Sequence, residues 1–375
     1  MSRPQIIVNV TAALQRRGAP TDTGTAFLVY AGVTGPSAPT KCLSAADALA
    51  ANVPAVQAAW VGDALTQGAP AVYVLRAAAV DNAAVTEAEW TTALDQLTAD
   101  FGPGQVLIPG VETAAAHAAL LAHADATKRC VLLDAAKDAT AADLTTAAAG
   151  LAAGAGAERA GLIAPWATVP GSAGLAREVP GSVIAAGLAA RSDARVGHAN
   201  AAPAFDQGVG AGVISRGIAV TATYTDAELD DLHDAGVSVI RNIRGVPTLY
   251  GWVSISSDPN FRQLNWGRMA MQLHYGISAL VEQFLGRQID GQGKLFAELE
   301  GTLRGYFLPL WQRDPNPALY GSSADEAFDV DTRSPNTGTT IAAGELHALA
   351  AVALTPHTEK VIIDVTTAIA EGVAA

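Results

Sequence analysis

Apolar residues along this chain fall into short runs separated by alanine-rich stretches, and the two kinds of segment alternate. Ala26–Ala31 (Ala-Phe-Leu-Val-Tyr-Ala) predicts a strand covered on both faces. Ser44–Ala51 predicts a helix with Ser44 as its N-cap and Asp47 three residues on, and Ala55–Gln67 predicts a second that closes at Gly68. Ala71–Arg76 reads as the next strand, and Val106–Pro109, Cys130–Leu133 and Ala160–Ala164 as three more. Thr113–Asp125 and Ala141–Ala153 between them have helical composition. Strand and helix alternating at this spacing predict an α/β layer fold with a mostly parallel sheet.

The pattern then changes. Residues 180–245 are Gly-rich and Pro-punctuated, with no clear period. Beyond them Ser257 or Asp258 caps a predicted helix with Pro259 in its first turn. Its apolar stripe runs Phe261, Leu264, Met269, Leu273, Ile277, Leu280 and Phe284, with Gly286 near its end. A second stripe carries Leu295, Leu299, Leu303, Tyr306, Phe307 and Leu310. Phe328–Asp331, Leu346–Leu354 and Val361–Val365 predict strands in the tail. The last (Val-Ile-Ile-Asp-Val) mirrors a β-branched run at residues 4–11, which a polar stretch from Gln15 to Asp22 cuts off from the body. A strand without a local partner leaves N–H and C=O groups unpaired. Such a segment either frays or pairs with another subunit.

Composition narrows the function. At 375 residues, 50% hydrophobic and 16% charged, the chain is globular, although much of its apolar content is alanine. The net charge of −13, without clustered Lys and Arg, argues against nucleic acid and against docking on anionic lipid. It suits a protein kept soluble at high copy number. Cys42 and Cys130 lie far apart without metal-ligand company, so folding in a reducing cytoplasm is expected. Neither a signal-peptide core nor a membrane-spanning run is recognisable, so no signal peptide and no membrane insertion are expected.

Catalytic chemistry finds little support. Ser182 after Gly181 could act as a nucleophile with His117 or His198 as base, which would make the chain a peptidase-like α/β hydrolase, but the surrounding nucleophile motif is missing. His117 and His123 stand about 240° apart on a helix, whereas a zinc pair needs one face, so they read as surface or capping histidines. Gly208–Gly212 and Gly291-Gln292-Gly293-Lys294 lack the spacing of nucleotide loops and read as turns. Asp325, Glu326, Asp329 and Asp331 lack calcium-loop spacing and read as a solvated acidic loop. No catalytic, cofactor-binding or metal-binding residue is therefore expected.

Three blocks carry a resemblance. The first runs from Val179-Pro180-Gly181-Ser182 through Ala186-Gly187 and Ala190-Arg191-Ser192-Asp193 to Gly197-His198-Ala199-Asn200-Ala201-Ala202-Pro203. The second runs from Gly245-Val246-Pro247 through Tyr250-Gly251-Trp252 and Ser257-Asp258-Pro259 to Asn265-Trp266-Gly267-Arg268-Met269. The third is Asp331, Asn336-Thr337, Ile341, Gly344-Glu345-Leu346 and Thr355-Pro356. In order and distance these resemble the contractile tail-sheath family of phages and related injection machines. The N-terminal half is similar more loosely, chiefly through Gly68–Arg76. The chain departs from the family in the order Tyr250-Gly251-Trp252-Val253, and in Gly267, which stands where a first Arg is common and removes a salt bridge there.

The resemblance implies an α/β core of subtilisin-like topology at 23–244, a C-terminal α+β domain at 245–358, and terminal arms at 1–22 and 359–375. It implies that Ile6, Ile7, Val8 and Val10, with Val361, Ile362, Ile363 and Val365, add strands to sheets of neighbouring subunits. It implies that the helix from about Lys294 to Arg313 faces an inner tube through Lys294, Glu298, Arg304 and Arg313. The partners it implies are other copies in stacked, hexameric rings of a helical polymer, the tail tube protein, and baseplate and tail terminator proteins. The place it implies is the tail sheath of a particle assembled in the host cytoplasm. The function it implies is that of a structural subunit, with no enzyme activity and no cofactor expected.

Overall fold

The computed structural model describes residues 22–78, 80–171, 175–205 and 211–359. Six strands come first: β1 (Ala26–Tyr30), β2 (Thr40–Cys42), β3 (Val72–Arg76), β4 (Gln105–Leu107), β5 (Cys130–Asp134) and β6 (Ala160–Ala164). A separate small sheet follows, made of β7 (Ala167–Pro170), β8 (Ala176–Val179) and β9 (Ala219–Val220). Then β10 (Val237–Ile243) and β11 (Val246–Tyr250) rejoin the first six. The resulting eight-stranded sheet has the order β11-β10-β6-β5-β4-β1-β3-β2. The strands from β10 to β3 run parallel, and β2 and β11 form antiparallel edges. The expected mostly parallel core is thus present, and its sheet extends to Tyr250, past residue 244.

Helices cover both faces. On one lie α1 (Ala45–Ala50), α2 (Ala55–Gln67) and α6 (Gly181–Val196). On the other lie α3 (Glu87–Leu94), α4 (Ala114–Thr127), α5 (Ala141–Leu151) and α7 (Asp226–Asp234). Strand alternation divides the side chains between them: Leu28 and Leu132 enter the first core, and Phe27, Val29, Val131 and Leu133 the second. Double cover is why β1 reads as an unbroken apolar run.

The stretch 180–245, without period in the sequence, holds α6, α7 and β10. Every residue of α6 from Gly181 to Ala190 is buried, and a helix buried all round carries no amphipathic stripe. Its close seat on α2 depends on Gly187, where an added Cβ would stand 2.5 Å from the carbonyl oxygen of Ala64. On α4, His117 and His123 are buried rather than on the surface, because the alanines around them let the helix sink against the sheet. Burial, then Arg129, holds the His123 imidazole down to about 3.

The C-terminal part holds α8 (Leu264–Val281), α9 (Lys294–Trp311), α10 (Ala324–Ala327), α11 (Gly338–Ala342), and a two-stranded sheet of β12 (Phe328–Asp331) and β13 (Leu349–Val352). The predicted long helix is shorter at both ends. Phe261 sits in a separate turn capped by Asp258, and Phe284 in another single turn beyond α8. Two faces of α8 are used. Leu264, Met271 and Tyr275 pack on the sheet, while Met269 joins a third core with Leu295, Leu299, Leu303, Phe307, Phe328 and Val330. Asp325 and Glu326 lie on α10 and Asp329 and Asp331 on β12, rather than in a loop. Among the described residues, no helix is long and apolar enough to cross a membrane.

Candidate assembly site

The three sequence blocks meet where α8 begins. Arg268, in its second turn, is fully buried, and a buried guanidinium requires a partner. Its two terminal nitrogens reach the carboxylate of Asp193, at the end of α6, over 3.0 and 2.5 Å. The Thr23 hydroxyl donates to the same carboxylate, and Gln105 Nε2 donates to the Thr23 carbonyl over 2.7 Å. Burial pushes the Asp193 carboxyl up, while Arg268 and Thr23 oppose that shift. Beside Gly267, Arg268 thus makes its own buried ion pair. Gly267 has its own reason: a Cβ there would stand 2.2 Å from the carbonyl oxygen of Glu158. Gly267→Ala is expected to cost about 1–3 kcal/mol through overpacking, read as a lower thermal midpoint. An unchanged midpoint would mean that α8 does not sit this close.

The opposite end of the chain returns to the same turns. Asn200 Nδ2 donates to the carbonyls of Ala318 (2.8 Å) and Thr355 (3.0 Å), and Asn265 Nδ2 donates to Asn200 Oδ1 over 2.6 Å. Gln263, the N-cap of α8, accepts from the His357 amide at 3.0 Å. Its Nε2 donates to the His357 carbonyl and to Glu359 Oε1, each at 2.9 Å. Asn265 Nδ2 also lies 3.1 Å from His357 Nδ1, which must accept. Burial, then His198, holds the His357 imidazole below the usual histidine range and keeps that acceptor free. Glu359 Oε2 stands 3.4 Å from His233 Nε2. Thr23 and Glu359 thus mark where the chain passes into 1–21 and 360–375. Ile6, Ile7, Val8, Val10, Val361, Ile362, Ile363 and Val365 lie outside the described residues.

The residues expected to face a tube are dispersed. Lys294 is exposed at the start of α9. Glu298 pairs with Arg287 at 2.5 Å. Arg304 sits among Glu300 (3.1 Å), Asp329 (3.8 Å) and Asp325 (3.9 Å). Arg313 lies past the helix end, against Gly197, the C-cap of α6. The carbonyl end of a helix favours a cation there.

Ser182 is fully buried, and its hydroxyl donates to Asp134 Oδ2 over 2.5 Å. The same carboxylate accepts from the amides of Ser182 (2.8 Å) and Gly110 (2.9 Å), so it ties α6 to the loop after β4. His117 Nε2 meets the Asp134 carbonyl oxygen and His198 Nε2 that of Asn316, not the serine. A serine hydrogen-bonded to a carboxylate without a histidine between them lacks the geometry of a triad.

Compared with solved structures, the chain aligns over almost its whole length with contractile sheaths. The helical sheath of the anti-feeding prophage, in its contracted state, is 19% identical, with 98% of this chain and 99% of that one covered and a TM-score of 0.74. The sheath complex of the extracellular contractile injection system PVC, also contracted, is 17% identical, with 98% of each chain covered and a TM-score of 0.74. The sheath tail protein of Desulfitobacterium hafniense is 11% identical, with 88% of this chain and 93% of that one covered and a TM-score of 0.60. The chain has the fold of these sheath proteins. No family signature and no curated protein matches the sequence.

Proposed function

We propose that the chain is a structural subunit of a contractile sheath, which polymerises helically around an inner tube and shortens to drive that tube through a target cell envelope. The observation that carries this reading is the end-to-end likeness to sheaths in their contracted state, without a large unmatched domain on either side. A sheath is an open helix, so its contacts are heterologous and do not close. It must also stay connected while subunits swing. Strand addition through tethers meets that need, because main-chain hydrogen bonds persist while linkers turn. The β12–β13 sheet supports this: two strands are marginal alone and leave an edge on each. An apolar groove of about 750 Å³ runs beside it, lined by Ile277, Phe284, Leu295, Leu299, Leu346 and Ala350. The strands we assign to it are Ile6–Val10 and Val361–Val365 of adjacent copies. Further partners are the inner tube and the baseplate. Electron microscopy of the purified protein tests the reading: hollow striated tubes are expected, and a dispersed monomer under conditions that favour polymerisation would refute it.

The tube grip falls to the exposed side of α9. Arg304→Glu would set a fourth carboxylate among Glu300, Asp325 and Asp329. Exposed pairs are worth about 0–1 kcal/mol, so the fold is expected to hold while assembled sheaths retain less tube. Wild-type tube retention in sheaths of this variant would remove Arg304 from the grip.

A further inference from the structure

The two chain ends lie far apart in sequence, yet both are fastened to the first turns of one helix. Arg268 holds Thr23 through Asp193. Gln263 and Asn265 hold the segment His357–Glu359. Arg268 and Gln263 are five positions apart on α8, about 7.5 Å of helix rise. Asn265 sits between them and reaches Asn200, in the loop just past α6, the helix that carries Asp193. The segments held in this joint, 22–25 and 355–359, contribute no apolar side chain to the buried cores, so polar contacts carry their attachment.

We infer that the start of α8, with Asp193 and Asn200, is a common root for both chain ends, which sets a fixed spacing between them and couples their release. The inference rests on the sheath reading only in treating those ends as arms; the root itself belongs to the single subunit. Its mechanical consequence is direct. Tension on one end reaches the other across a few hydrogen bonds and one ion pair on rigid helix turns, without passing through the C-terminal core. Gln263 is a positioning residue in this scheme: it fixes where the chain leaves the body.

The test is hydrogen exchange on the full chain carrying Gln263→Ala, kept dilute to stay unassembled. The His357 amide, which loses its acceptor, is expected to exchange roughly tenfold faster, and the Gly24 amide at the other end, which donates to Asp22, about threefold faster. Amides of β5 are expected to keep their protection. Should β5 exchange faster as well, Glu359→Ala, at a half-exposed position, is read in the same way. Faster exchange at His357 with Gly24 unchanged would show two separate anchors and overturn the common root, as would no change at either end. Failure of the wild-type chain to form tubes would count against the sheath reading and leave the exchange result standing.

Discussion

Arg268→Ala is expected to lower the free energy of unfolding by about 3–5 kcal/mol, the usual cost of breaking a buried ion pair by removing one partner. The reason lies in what stays behind. Asp193, 8% exposed, would keep only the Thr23 hydroxyl, which cannot replace a bidentate guanidinium. Burial already pushes its carboxyl up, and removing Arg268 takes away the main interaction that opposes this shift. A raised folded-state pKa means that the folded chain binds more protons than the unfolded one. The variant's deficit should therefore shrink as pH falls towards the ordinary carboxylate range and grow as pH rises. Replacing both partners, Arg268→Met with Asp193→Leu, should recover much of the loss, because apolar pairs of similar volume fill such sites at little cost. Urea unfolding midpoints at two pH values measure all of this. A loss below about 1 kcal/mol in Arg268→Ala would mean that water reaches the pair and that the joint is looser than its geometry implies.

Much of the fold could be read from local pattern. Ser44 caps α1 and accepts from the Asp47 amide, α2 ends at Gly68 as its spacing predicts, and β6 and β12 match their predicted bounds. What escaped was set by burial and distant contacts. The period that reveals a half-buried helix vanishes in α6, whose whole circumference is covered. His117 and His123 looked like surface residues because spacing alone cannot show that an alanine-rich helix sinks into a core. The joint was half legible. Asp193, Asn200, Asn265, Arg268 and Thr355 all stand in the blocks that carry the family resemblance, but nothing in their order shows that they touch. Gln263, His357 and Thr23 gave no signal at all, since a single amide, imidazole or hydroxyl makes sense only once its partner, from 82 to 170 residues away, is in place.

Truncation after Glu359 should leave a folded subunit that does not polymerise, and truncation before Asp22 should do the same. Folding should survive because the three buried cores are built from residues 26–354, with the sheet and α8 joining them. Loss of polymer follows from reach. The chain is held at Glu359 beside the N-cap of α8, whereas the groove beside β13 begins at Ile277, fourteen positions along that helix, or about 21 Å. Val361 lies two residues past the hold, a span of about 7 Å even fully extended. A strand that filled this groove along its length would therefore have to come from another copy. Each subunit would then offer an empty acceptor and carry a donor that it cannot use itself, which makes an open-ended chain of copies the natural outcome. Size-exclusion chromatography should show the truncated proteins as monomers with wild-type circular dichroism, and electron microscopy should show no tubes. Tubes of normal length and striation from either truncation would place the connection between copies elsewhere on the surface.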